Sequence, residues 1–115
     1  MSATAKPQLI CLGNPLLDYQ ATVQPEYLEK YGLKPDDAIL VDAASNEPRM
    51  AIFEEMLGFD DVKFVAGGAA QNTARGAAYV LGAGQVGYFG SVGEDKYSEK
   101  LLEENKAAGV LSLYQ

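Results

Sequence analysis

In Val65-Ala66-Gly67-Gly68-Ala69-Ala70-Gln71-Asn72 an apolar run passes through two glycines into an alanine-rich one. Paired glycines at a strand-to-helix junction let backbone approach a ligand without Cβ interference. The N–H groups of the following helix, with Asn72 behind them, are then available as partners. A turn that simply needs positive φ would use the same glycines, so the stretch alone leaves both readings open. Upstream, Gly13-Asn14-Pro15-Leu16-Leu17-Asp18 supplies complementary groups. A carboxylate accepts from two adjacent hydroxyls, an asparagine amide donates and accepts, and glycine N–H groups fill the remaining positions, which suits a vicinal diol. Asn14 could be a turn former before Pro15, and Asp18 an exposed strand carboxylate; the combination carries the reading.

Working outward from the double glycine, Val62 to Val65 reads as the strand leading into it. Ala70, Ala74, Ala77, Ala78 and Leu81 mark one face of the helix that follows, with side chains small enough for close packing on a sheet. Leu9 to Leu12 is a short apolar run bounded by Pro7 and Gly13, as a buried parallel strand would be. Gln85 to Phe89 and Val110 to Tyr114 read as further strands, separated by a Gly90-to-Gly93 turn and a helix from about Asp95 to Ala108 with Gly109 as its stop. Asp95 is the expected N-cap. Strands alternating with helices imply an α/β fold with right-handed crossovers.

Two further runs fit a buried parallel sheet poorly. Asp18 to Val23 alternates loosely, and Ala38 to Val41 is hemmed by Asp36, Asp37 and Asp42; both predict strands of a small second sheet. Between them a short helix is expected from Pro25 through Tyr31, with Gly32 beyond its end. Met50, Phe53, Met56 and Leu57 recur at helical spacing, with Ser45 or Asn46 as cap and Gly58 as terminator.

With 115 residues the chain has room for one domain, and 48% hydrophobic with 22% charged residues is ordinary globular usage. No apolar run approaches the length needed to cross a bilayer. Met1 to Pro7 lacks the apolar core of a signal peptide, so the protein reads as cytoplasmic, with the nucleus as a second compartment. The net charge of −7, with 9 basic residues scattered along the chain, argues against a nucleic-acid footprint. A small neutral or weakly charged ligand fits better. Cys11 is the single cysteine, so no internal disulfide forms, and it reads as a small hydrophobe in a buried strand. The absence of histidine excludes Ser-His and Cys-His catalysis and the common zinc sites.

Gly82-Ala83-Gly84-Gln85-Val86-Gly87 matches the G-x-G-x-x-G dinucleotide fingerprint by letter, but a helix precedes it and a strand follows, the reverse of what that fingerprint needs. It is read as a helix C-cap and tight turn. No Walker-type phosphate loop occurs. Asp36-Asp37, Asp60-Asp61 and Glu103-Glu104 are adjacent in sequence, not on one helix face, and read as solvated charge.

Leu12-Gly13-Asn14-Pro15-Leu16-Leu17-Asp18, Tyr27-Leu28 with Lys30-Tyr31, Leu33-Lys34-Pro35, Ala66-Gly67-Gly68 with Gln71-Asn72, and Phe89-Gly90-Ser91-Val92-Gly93 occur in that order. On these segments essentially the whole chain resembles the ribokinase (PfkB) family of carbohydrate and nucleoside kinases, and the Gly-Asn-Pro-Leu-Leu-Asp segment is similar to its adenosine branch. The resemblance implies a ribokinase-like fold, a parallel sheet flanked by helices with a small β-sheet lid, incomplete in this chain. Residues 1–115 would be the N-terminal portion of that kinase domain, with part of the lid at about 17–42. It implies that Asp18, Gly68 and Asn72 hold the ribose hydroxyls, that Asn14 lies beside the sugar, that Leu16 and Leu40 flank the purine, and that Gly67-Gly68 is a hinge coupling substrate contact to lid closure.

The reaction implied is transfer of the ATP γ-phosphate, with Mg²⁺, to the 5′-hydroxyl of adenosine by a monomeric enzyme. Ala38 and Ala69 stand where some relatives have Gln and Ser, which removes two side-chain contacts. The family's Gly-Ala-Gly-Asp motif, with its phosphate-holding helix N-terminus and catalytic Asp, does not occur here. These residues alone are therefore expected to be inactive, because phosphoryl transfer needs a base and charge stabilisation as well as a bound acceptor. Three other readings stand beside this one: a sugar kinase of the same family, a non-catalytic nucleoside-binding module, and a dinucleotide dehydrogenase reading through Gly82, Gly84 and Gly87.

Overall fold

A computed structural model describes residues 6–42, 44 and 47–115. Its central sheet has three parallel strands in the order β1 (Leu9–Leu12), β4 (Val86–Gly90), β5 (Val110–Tyr114). Leu9 lies opposite Val86, and Val86 opposite Val110, so Cys11 and Tyr88 share a level. Each strand sends alternate side chains to opposite faces. Cys11, Val86, Tyr88 and Val110 form the buried face, covered by Ala74 and Ala78 of α3 (Ala69–Leu81). The small alanines let the helix backbone come close, as their spacing predicts. The other face presents Ile10, Leu12, Phe89, Leu111 and Leu113, all well exposed. α4 (Lys96–Ala107) lies along β5 and begins with a capping box, in which the Asp95 carboxylate accepts from the N–H groups of Tyr97 and Ser98.

Gly82 ends α3 in a left-handed conformation and β4 follows at Val86, so the fingerprint-like glycines make a helix C-cap and turn. Cys11 is a buried free thiol in β1. These elements, with residues up to Asp18 and Phe64–Gln115, make one compact unit; Tyr19–Lys63 make a second.

The second sheet pairs β2 (Leu16–Gln20) with β3 (Lys63–Gly67), and the boundary between the units runs through both strands. This corrects two expectations. The strand expected at Asp18 to Val23 begins and ends earlier, since the Thr22 N–H is taken by the Asp61 carboxylate at 3.0 Å. The strand expected at Ala38 to Val41 is absent: these residues have no ladder partner, and Leu40 is 94% exposed. The partner of β2 is the strand before the double glycine.

Within Tyr19–Lys63, α1 (Pro25–Lys30) starts with proline, and a 3-10 turn (Pro48–Met50) runs into α2 (Ala51–Met56). The caps expected at Ser45 or Asn46 lie outside the described residues. Glu55 links the two helices, accepting from Lys30 Nζ at 2.7 Å and from Tyr31 Oη at 2.5 Å. Tyr19 meets Phe53 edge-on with ring centres 5.8 Å apart, and Tyr27 meets Phe59 at 5.5 Å.

Candidate functional site

β1 delivers the chain to the C-terminal end of the parallel sheet, where open α/β sheets characteristically bind ligands. There Gly13-Asn14-Pro15 turns the chain across the sheet end. Tyr88 Oη donates to the Gly13 carbonyl at 2.7 Å and anchors the turn. Burial and the neighbouring Cys11 push the Tyr88 phenol above its usual range, so it stays a neutral donor at physiological pH. A groove of about 330 Å³ opens here, lined by Asn14, Phe89, Gly90, Ser91 and Gln115 among others.

The double glycine lies against the segment that leaves this turn. A Cβ on Gly67 would fall 2.2 Å from Asp18 Oδ2 and 2.6 Å from its Cγ, so the carboxylate sits directly over the glycine. Only a residue without a side chain leaves it that seat. Gly68 has φ of +87°, a conformation costly to other residues, and a Cβ there would meet the Asn14 carbonyl oxygen at 3.0 Å and Leu16 Cγ at 3.4 Å. The Gly68 N-cap has no side chain to cap α3, so the first N–H groups of the helix are left for other acceptors.

Five of the seven residues singled out in the sequence, Asn14, Leu16, Asp18, Gly67 and Gly68, are thus drawn together around one turn. Asn72 stands at the end of the first turn of α3, where its N–H closes onto the Gly68 carbonyl at 2.9 Å. Its side chain is exposed, accepts from Arg75 Nη1 at 3.3 Å, and borders a separate hollow with Arg75 and Tyr79. Leu40 belongs to the other unit. Chemically, the arrangement presents an exposed carboxylate, helix N–H groups, an amide and the half-exposed Leu16: acceptors and donors for hydroxyls beside an apolar surface.

Among the described residues, no group of three or more Asp, Glu or Cys is placed to hold a metal ion. No step is assigned to a metal here. No described helix is long and apolar enough to cross a membrane.

Sequence reasoning passed over Asn105 and Arg75, and quoted Gln71 without giving it a role. Gln71 and Asn105 are completely buried polar residues. A signal for each was present in helical phase: Gln71 stands three and seven positions before Ala74 and Ala78, and Asn105 four and seven positions after Leu101 and Ser98, all buried. Arg75 donates to the Ala66 carbonyl, tying α3 to the strand before the double glycine.

The model of the pfkB family carbohydrate kinases matches residues 26–115. The chain is 70% identical to an adenosine kinase of Saccharomyces cerevisiae over 107 residues, which are 93% of this chain and 32% of that protein. It is 47% identical to an adenosine kinase of Schizophyllum commune, covering 93% of this chain and 30% of the relative. Among solved structures it is similar to the apo adenosine kinase of Trypanosoma brucei brucei, with a TM-score of 0.82 at 31% identity, covering 97% of this chain and 34% of that one. Adenosine kinase of Anopheles gambiae, in complex with P1,P4-di(adenosine-5) tetraphosphate, gives 0.77 at 35% identity over 96% of this chain and 32% of that chain. The chain thus spans about a third of the length of the relatives it matches.

Proposed function

Because the chain belongs to the pfkB family of carbohydrate kinases, with the ribokinase-like α/β fold, we propose that it is the nucleoside-binding N-terminal part of an adenosine kinase, an enzyme that makes AMP from adenosine and ATP. The observation that carries this reading is the Asp18 carboxylate seated over Gly67 beside the left-handed Gly68. In this reading Asp18 accepts from the two ribose hydroxyls, the N–H groups at the start of α3 face them, and the Asn72 amide completes the clamp by leaving Arg75 when substrate binds. Asn14 lies beside the sugar, and Leu16 and Leu40 offer apolar surface to the purine. Gly67-Gly68 acts as the hinge, and the segment at about 17–42 contributes to a lid.

ATP, Mg²⁺ and the base that takes the 5′-hydroxyl proton are assigned to residues beyond these 115. A net charge of −7 supports a small-molecule partner rather than a nucleic acid, and the enzyme is read as a cytoplasmic monomer. The test is ATP-dependent AMP formation by the full-length protein, with ribose as competing acceptor. Preference for adenosine is expected; preference for ribose would move the protein to the sugar kinases of the family.

A further inference from the structure

Gln71 has no accessible surface, yet both ends of its amide are engaged. Nε2 donates to the Gly67 carbonyl at 2.8 Å and to the Leu16 carbonyl at 3.2 Å. Oε1 accepts from Asn105 Nδ2 at 3.0 Å and from Tyr114 Oη at 2.7 Å. Two donor hydrogens and two acceptor positions are all that a glutamine amide possesses, and each has a partner here. The two carbonyls below it belong to β2 and β3, the strands that carry Asp18 and run into Gly68.

We propose that Gln71 is a positioning residue for the site. It clips the Leu16 and Gly67 backbones to one side-chain amide, and so sets where the Asp18 carboxylate rests over Gly67. Asn105 on α4 and Tyr114 on β5 fix which way that amide faces. Turned over, Oε1 would confront two carbonyl oxygens, while its NH₂ would confront the Asn105 NH₂. Asn105 Nδ2 shares its two hydrogens among Gln71 Oε1, Ser112 Oγ at 3.1 Å and Tyr114 Oη at 2.8 Å, which joins α4 to β5 beside the amide. A residue that only filled this volume would need no polar end; the chain buries two amides, Gln71 and Asn105, behind the double glycine, with the part-buried Tyr114 beside them. The Gln71 amide is fully matched while the buried Asn105 Oδ1 has no partner, so the geometry is specified at Gln71, where turning the amide over would lose every bond.

The proposal rests on the reading of the glycine turn as an acceptor-substrate site, and its test separates the two. In the full-length protein, Gln71→Met keeps volume and removes both strand clips, while Tyr114→Phe removes one of the donors that orient the amide. Gln71→Met is expected to raise the KM for adenosine about tenfold with the KM for ATP within about twofold, the consequence of losing interactions that hold one substrate's seat. Tyr114→Phe is expected to move it about threefold the same way.

Gln71→Glu adds a readout that a packing role would not move. A buried acid between carbonyls donates only when protonated, so its adenosine KM is expected to fall as pH is lowered while that of Gln71→Met stays flat. Amide exchange at Gly67, Gly68 and Ala69, measured in the same variants, is expected to quicken whatever the acceptor substrate proves to be. Should both Gln71→Met and Tyr114→Phe lower the melting temperature with adenosine KM and exchange at the turn unchanged, Gln71 is merely structural and the proposal is wrong. If wild type prefers ribose, the adenosine reading falls and the KM comparison is made on ribose.

Discussion

The unit holding the parallel sheet buries Ala66, Ala74, Val86 and Tyr88 completely, whereas between Tyr19 and Lys63 no described residue is fully buried. The first is held by apolar area withdrawn from water and by hydrogen bonds between the buried Gln71 and Asn105 amides. The second relies on half-exposed aromatic edges and on ion pairs at Lys30–Glu55 and Arg49–Glu47. Withdrawing apolar surface from water stabilises a fold strongly, and exposed ion pairs contribute little. The glycine turn and Asp18 are built on the well-buried unit, as a site that must hold its geometry requires. The other unit has the makeup expected of a part that opens locally at small cost.

Loss of a buried ring probes this contrast most strongly. Tyr88→Ala is expected to destabilise the full-length protein by about 3–5 kcal/mol, and Phe53→Ala, 44% exposed, by about 1 kcal/mol or less, in urea unfolding. Equal losses would erase the distinction between the units.

Next in size, Gly67→Ala drives a methyl into the Asp18 carboxylate and is expected to lower kcat/KM for adenosine about a hundredfold. A value within threefold of wild type would show that the seat over Gly67 is dispensable.

The helix starts sharpen the comparison further. α4 has its capping box, while neither α1 nor α2 has a side-chain cap. Asp95→Ala is therefore expected to cost about 1 kcal/mol in the same unfolding measurement. Gln24→Ala, at the uncapped start of α1, should cost nothing resolvable.

Smallest is a pH effect confined to the weaker unit. Hydrogen bonds from Lys30 and Tyr31 hold the Glu55 carboxyl below its usual range. A depressed folded-state value means that the contribution is present above the unfolded carboxyl range and is lost as pH falls through the lowered value. Amide protection factors over α1 and α2, corrected for the intrinsic pH dependence of exchange, are thus expected to fall on acidification before those of α3, and Glu55→Gln should flatten the response. A response unchanged in the variant would assign it to another carboxylate.

The sequence reads most clearly where one residue type decides the structure. The alanines of α3, the strands β1 and β4, the Asp95 cap and the Gly82 stop fall where their spacing predicts, because each is a local choice with one good solution; the burial expected along β1 holds only at Cys11, and Leu81 at the end of the alanine face is exposed. Ala38 to Val41 shows where that fails: four apolar residues resemble a strand, but a strand exists only with a ladder partner, and β2 takes β3 instead. Gly67 and Gly68 could be gathered from sequence because a glycine pair announces close approach, and Asn14 and Asp18 because an amide and a carboxylate suit a diol, whereas Leu16 came only through the family resemblance. Gln71 could not be given a task in the same way. Its partners come from β2, β3, α4 and β5, and only tertiary structure reveals that a glutamine on an alanine face is a clip.

The place of β4 between β1 and β5 has a kinetic consequence. β4 reaches β5 after a single helix, so this pairing closes a short loop. β1 must wait for a distant partner: Gln8, beside it, bonds Gln85, 77 positions along the chain. Closing the longer loop costs more entropy before any contact repays it, so β4-α4-β5 is expected to assemble first and β1 to dock late. Pulse-labelled exchange during refolding, protecting Val110 before Leu9, would show that order; the reverse would refute it. On a ribosome β1 emerges before β4 and β5 yet would join them only after they have paired, leaving Leu9–Leu12 open to chaperones throughout the interval.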